Sequence, residues 1–277
     1  MLLLFLGCSV SSYSTGLLTD LTAFALVAEP VHYVPGSPLS VEVTTANPDR
    51  LDVELLVWTV PVQADGAPVR TPNGQPWSNG FAVVNHPGLT TAVDLTPHEP
   101  ALAVEVLFAG MVSLELWALV CEVDACPIID TVRTGGFEST GPLADPMGLS
   151  LPFHQSSLAL HLLELGDPTD PETWGHNPTV TRAGPGVDGE VLQVDRGSTL
   201  QVDFAVDSAV DLAEGVWLAA GVGGPVVEGS VDDEEYGQGA RFLVQPPEDQ
   251  DWGQVFFALR GWDGGVGVDV VNYVVVD

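Results

Sequence analysis

The acidic run Asp232-Asp233-Glu234-Glu235 is the densest set of hard oxygen ligands in the chain, and Asp263 and Asp269 follow in the next hairpin region. Carboxylates of this kind suit calcium, so Asp232, Asp233, Glu234 and Asp263 form the candidate metal set if loops converge at one end of the fold. No cofactor is expected, calcium being the single candidate. The ordered Asp-x-Asp-x-Asp-Gly loop is absent, however, and acidic runs are commonly solvated turns. Cys121 and Cys126 are separated by Glu-Val-Asp-Ala, close enough for a small disulfide loop; the other reading is two free buried thiols. A zinc site would want more ligands nearby, and no His lies between Val112 and Phe153. Trp77, Trp174, Trp252 and Trp262 fall in loops or at turns. There an indole either stacks on a sugar, anchors a partner or caps the end of a core.

No other residue set points to catalysis. The seven basic residues are all Arg, and the missing lysine removes the P-loop, Schiff-base and Ser-Lys chemistries together. The nearest string to a nucleophile elbow, Gly148-Leu149-Ser150-Leu151-Pro152, ends in Pro and has no strand-turn-helix context. His98-Glu99 is followed by Pro100 and no second His, and the six histidines are scattered. A glycosidase would need two carboxyls flanking a cleft, which small sandwiches seldom form. The expectation is a protein that is not an enzyme.

Charge narrows the partners. With 38 Asp and Glu against 7 basic residues, the formal net charge is −31, which repels phosphate backbones and disfavours nucleic acid and anionic lipid surfaces. Self-repulsion of this size keeps an apolar, strand-rich chain in solution.

The elements that would position these residues are strands. Two-residue periodicity prevails, cut about every ten residues by Pro, Gly, Asn or Asp. Strands are expected at 22–28, 39–45, 53–60, 103–108 and 112–121, and again at 191–194, 200–206, 216–220, 240–244, 254–260 and 268–276. No amphipathic helix of useful length is expected. A repeat joins the two sets: Gly36-Ser37-Pro38-Leu39 matches Gly197-Ser198-Thr199-Leu200, Val57-Trp58 matches Val216-Trp217, and Gly110-Met111-Val112 matches Gly253-Gln254-Val255. This order resembles the immunoglobulin-like sandwich, in which strand C carries a buried Trp. It implies an all-β protein of two tandem Ig-like or PKD-like β-sandwich domains, without the usual inter-sheet cysteines. The first spans 19–166, closing with a strand at 157–163 after a long Gly- and Pro-rich loop, although Leu and Ala there leave a helix open. The Pro-rich stretch from Gly166 begins a linker, and 167–277 holds that linker and the second domain.

At the amino terminus, the apolar run Leu2–Leu6 ends in Gly7-Cys8, ahead of a small polar stretch. Phe5-Leu6-Gly7-Cys8 resembles a bacterial lipobox. The resemblance implies a signal at residues 1–7, lipid on Cys8, and a tether over 8–18. Together with the paired sandwiches, it is similar to uncharacterised bacterial surface lipoproteins. That likeness implies a non-catalytic, lipid-anchored cell-envelope protein, an outer membrane lipoprotein facing periplasm or cell surface. Its role would be a spacer or protein-interaction module whose partner is an envelope protein. The alternative is a glycan- or calcium-binding adhesion module.

Overall fold

The computed structural model describes residues 13–33, 38–70, 79–86, 89–95, 111–135, 143, 145–165, 175–183, 190–207, 216–232, 238–261 and 263–277. Its first strand, β1 (Tyr13–Leu17), belongs with residues just over two hundred positions away, as described below. The chain otherwise divides into two compact units, the first holding Leu21–Thr45 and Asp49–His176, the second Asn177–Asp277.

In the first unit, β2 (Thr22–Glu29), β3 (Leu39–Ala46) and β6 (Thr90–Leu95) form one sheet in the order β2-β3-β6. The facing sheet runs β5 (Asn79–His86), β4 (Val53–Gln63), β7 (Met111–Glu122), β8 (Ser156–Glu164). Alternation explains the core between them: Val41 and Val43 of β3 face Leu55 and Val57 of β4 and Leu116, Ala118 and Val120 of β7, all fully buried. After β2 the backbone turns at the cis bond before Pro30, and Tyr33 then makes a parallel bridge to Leu165. The first strand therefore starts on one sheet and finishes against the last strand of the other.

The second unit repeats this plan. One sheet runs β9 (Thr179–Arg182), β11 (Leu200–Asp207), β14 (Gln238–Val244), β13 (Val226–Asp232); the other runs β12 (Val216–Val222), β15 (Trp252–Arg260), β16 (Val266–Val276), β10 (Leu192–Asp195). The parallel pairing of β10 with β16 is the counterpart of the Tyr33–Leu165 bridge. Between the sheets Phe257 packs against Phe204, Phe242 and Trp217, with ring centroids 5.1, 5.2 and 6.5 Å away. Arg196 fastens the lower edge, its guanidinium donating to Asp277 at 2.6 Å and Asp251 at 3.0 Å. Lettered by sheet position, the units read A-B-E facing C′-C-F-G, and A-B-E-D facing C-F-G-A′. This is the immunoglobulin-like arrangement, so the all-β, two-sandwich reading of the sequence holds.

Strands β5, β6, β9 and β13 lie where none was expected, and three further features differ from the sequence reading. First, five residues of the expected tether form β1, which pairs in parallel with β12 from Tyr13↔Trp217 to Leu17↔Gly221 and makes the second unit's sheet five-stranded. Second, the second compact unit takes in Ala46–Pro48 as well as Asn177–Asp277. Third, a helix, α1 (Pro127–Gly135), stands in the long loop after β7. Pro127 opens it with the required φ, Asp130 and Arg133 sit at the dipole ends that favour them, and Ile129 and Val132 bury one face. Its β-branched sequence has poor intrinsic helicity, so packing stabilises it. The closing strand of the first unit is β8, as expected, and the helical alternative there falls away. The expected strand at 103–108 lies outside the described residues.

Candidate functional site

In the first unit the loop between β7 and β8 does more than connect them. It folds back over the outer face of the β5-β4-β7-β8 sheet, so that β4 is buried on both sides. Leu56, Trp58, Val60 and Val62 of β4 and Trp117 and Leu119 of β7 meet Ile129 and Val132 of α1 and Leu143 in a second apolar cluster. Trp58 and Trp117 are direct register partners and stack with centroids 6.2 Å apart. Trp58 Nε1 donates to the carbonyl of Leu143 at 2.9 Å, which satisfies the one polar atom the ring buries.

Two covalent and ionic ties fix this covering. Cys121, the penultimate residue of β7, is disulfide-bonded to Cys126, just ahead of α1. The S–S bond starts the helix at a set distance from the sheet. Arg133, in the last turn of α1, reaches the carboxylate of Glu54 on β4 and also donates to Asp130 at 2.7 Å. Glu54 is only 3% exposed whereas Arg133 is 44% exposed, so the pair neutralises a buried carboxylate from the solvent side. Glu115, half-buried at the other end of β7, has its carboxyl pKa raised by desolvation, against which Trp117 Nε1 donates a hydrogen bond at 2.9 Å.

The covering presents apolar side chains to solvent. Phe153 is 78% exposed, Met147 59% and Val123 41%. Val123 follows β7 directly and Phe153 precedes β8, and their turns are joined where Glu122 N–H donates to Gln155 O at 2.8 Å. His154 beside Phe153 adopts φ of +64°, a left-handed turn that lifts the loop tip clear of the strand end. Aromatic and Met side chains are enriched at protein interfaces, whereas single exposed apolar residues are common on ordinary surfaces. Sequence patterning missed this surface because exposure of Phe153 is set by the covering fold, and no local pattern marks it.

The residues singled out in the sequence are placed as follows. Cys8 lies outside the described residues, as do Asp233, Glu234 and Glu235. Asp232 ends β13 opposite Gly239. Asp263 is exposed in the β15–β16 hairpin, where its Oδ1 accepts from Gly265 N–H at 3.1 Å, a turn-forming role. Asp269 on β16 accepts from Val270 N–H at 2.7 Å. Among the described residues no group of three or more His, Cys, Asp or Glu side chains is placed to hold a metal ion, and Asp263 is the one member of the calcium set with a described side chain. Trp252 opens β15, half-buried, while Trp77, Trp174 and Trp262 lie outside the described residues. Among the described residues no helix is long and apolar enough to cross a membrane.

No protein-family model matches the chain, and no curated protein matches it. Similar solved structures include the Dpr2 Ig1-Ig2 complex with DIP-Theta, at 10% identity and TM-score 0.29 over 91% of this chain and 99% of that one. They also include red sea bream transglutaminase, at 11% identity and TM-score 0.27 over 94% of this chain and 32% of that one. A titin I-band fragment, I67–I69, matches at 7% identity and TM-score 0.24 over 91% and 64%. At these scores the strand order carries the fold assignment and the likenesses add no argument about activity.

Proposed function

We propose that this chain is a non-catalytic module of the bacterial cell envelope, held to a membrane by lipid on Cys8, which works as a spacer or protein-interaction body through its two sandwiches. The observation that carries the interaction reading is the exposure of Val123, Met147 and Phe153 in the connection from β7 to β8, whose helix α1 is tied down by the Cys121–Cys126 bond and the Arg133–Glu54 pair. A surface of this kind contributes most through a few apolar anchors, and Phe153 is the largest of the three. The lipid anchor rests on the resemblance of residues 5–8 to a lipobox, and the outer membrane is the proposed address.

Both halves are testable in one strain. Full-length protein expressed in a diderm host with labelled palmitate should take up label and sediment with membranes, and Cys8→Ala should lose both properties. A Cys8→Ala chain that stays membrane-bound would end the anchoring claim. In the same cells, Phe153→Ser with Met147→Ser should abolish the envelope crosslinks formed by the parent chain while leaving its palmitate uptake intact; unchanged crosslinks would remove the interaction surface from that loop.

A further inference from the structure

The second unit leaves its strand β12 with a problem that the first unit solves internally. In the first unit the strand after β4 turns back as β5 and covers the β4 edge. In the second, the strand after β12 is β13, which joins the opposite sheet. The β12 edge would then offer Val-Trp-Leu-Ala-Ala-Gly-Val, seven residues with no charge and no Pro, and uncovered edges of that composition template further strand pairing. β1 occupies this edge instead. It makes five register pairs, and Leu18 N–H extends the ladder to Gly221 O at 2.7 Å. The ladder is parallel, the less stable pairing per residue, Gly16 contributes no side chain, and Leu17 is 46% exposed. Backbone pairing does not distinguish one copy of a segment from another.

We infer that the β12 edge is a strand-accepting site, filled by residues 13–17 of the same chain in the monomer and by residues 13–17 of a second copy in a strand-exchanged dimer. The occupant is argued from what the chain carries, because every copy brings a segment of matching length and register. Only Leu18, Thr19 and Asp20 separate β1 from the start of the first unit, and short connections favour exchange when they resist closing on their own body. Reciprocal exchange between two copies leaves neither β12 edge unfilled, so the exchange closes at two.

The test uses full-length chains in a Cys8→Ala background. Gly16 and Ala220 are register partners, and a Cβ at Gly16 would meet nothing within 4 Å, so Gly16→Cys is accommodated. Chains carrying Gly16→Cys alone and Ala220→Cys alone are co-refolded at high concentration, oxidised and resolved without reductant. A disulfide-linked heterodimer several-fold above that of a control pair, Gly16→Cys with Val227→Cys on the exposed part of β13, is the expected result. Heterodimer no greater than the control would overturn exchange. The doubly substituted chain at low concentration should form an intrachain bond, and its failure to do so would overturn the site itself. If Ala220→Cys does not fold, Thr15→Cys with Ala219→Cys probes the neighbouring register pair with the same two readings.

Discussion

Trp58 and Trp217 lie on corresponding strands of their respective units, each following a Val, yet they face opposite ways. Trp217 lies between the sheets with Phe204, Phe242 and Phe257, whereas Trp58 lies on the outer face beneath α1 and Leu143, and Val57 takes the inter-sheet position. A displacement of one residue in a strand moves a side chain to the other face. The lesson is that a buried Trp on strand C can serve either core, and what stands on the outer face decides which. The first unit's long loop after β7 supplies a cover large enough to bury an indole. The edges of the same two strands differ in parallel fashion, covered by a neighbour in the first unit and by a distant segment in the second.

The comparison breaks most visibly at Phe257. Truncation to Ala removes the ring at the centre of the second core and should cost about 3–5 kcal/mol. Hydrogen exchange should show β11, β14 and β15 losing protection while β3 and β4 keep theirs; equal losses in both units would mean that they do not open separately. The cover of the first unit is next. Cys121→Ser with Cys126→Ser opens a loop of sequence separation 5 and should cost about 2 kcal/mol, read from the denaturation midpoint. Fluorescence of the Trp58–Trp117 pair should change in the same variant, and a wild-type spectrum would show that α1 holds its place without the bond.

The smallest effect expected concerns Glu115. Burial raises its pKa, so the ionised carboxylate costs stability once the pH climbs above the ordinary Glu range near about 4.3. Glu115→Gln keeps an acceptor for Trp117 Nε1 and removes the charge. It should therefore stabilise the first unit at neutral pH, with the gain disappearing as the pH falls below that range. A gain that persists in acid would assign the effect to something other than charge.

Much of this fold was legible because strands with one face in a core announce themselves by alternation. Leu39, Val41 and Val43 or Leu200, Val202 and Phe204 place their strands correctly, and the Gly253 landmark has a physical cause in the close approach of the Tyr273 ring, which a Cβ would meet at 2.2 Å. What escaped notice has equally concrete reasons. Strand β9 has only four residues, β13 carries a register shift between Val226 and Glu228, and α1 is short and rich in Ile, Thr and Val. Nothing near Tyr13 signals that its partner is Trp217. The matched Val-Trp pairs located strand C correctly in both units but gave no hint of which face each ring would take, because that is determined by Ile129, Val132 and Leu143, far along the chain. Of the candidate site, the two cysteines were visible as a pair, while Phe153 was not.

The placement of β1 also bears on how the molecule reaches its folded form. The loop from Leu17 to Val216 must close before that ladder can form, and contacts across such separations are slow because chain entropy opposes them until the rest is in place. The final step of assembly should accordingly be the docking of residues 13–17. Until then the intermediate carries an open, uncharged strand that a chaperone would have reason to shield.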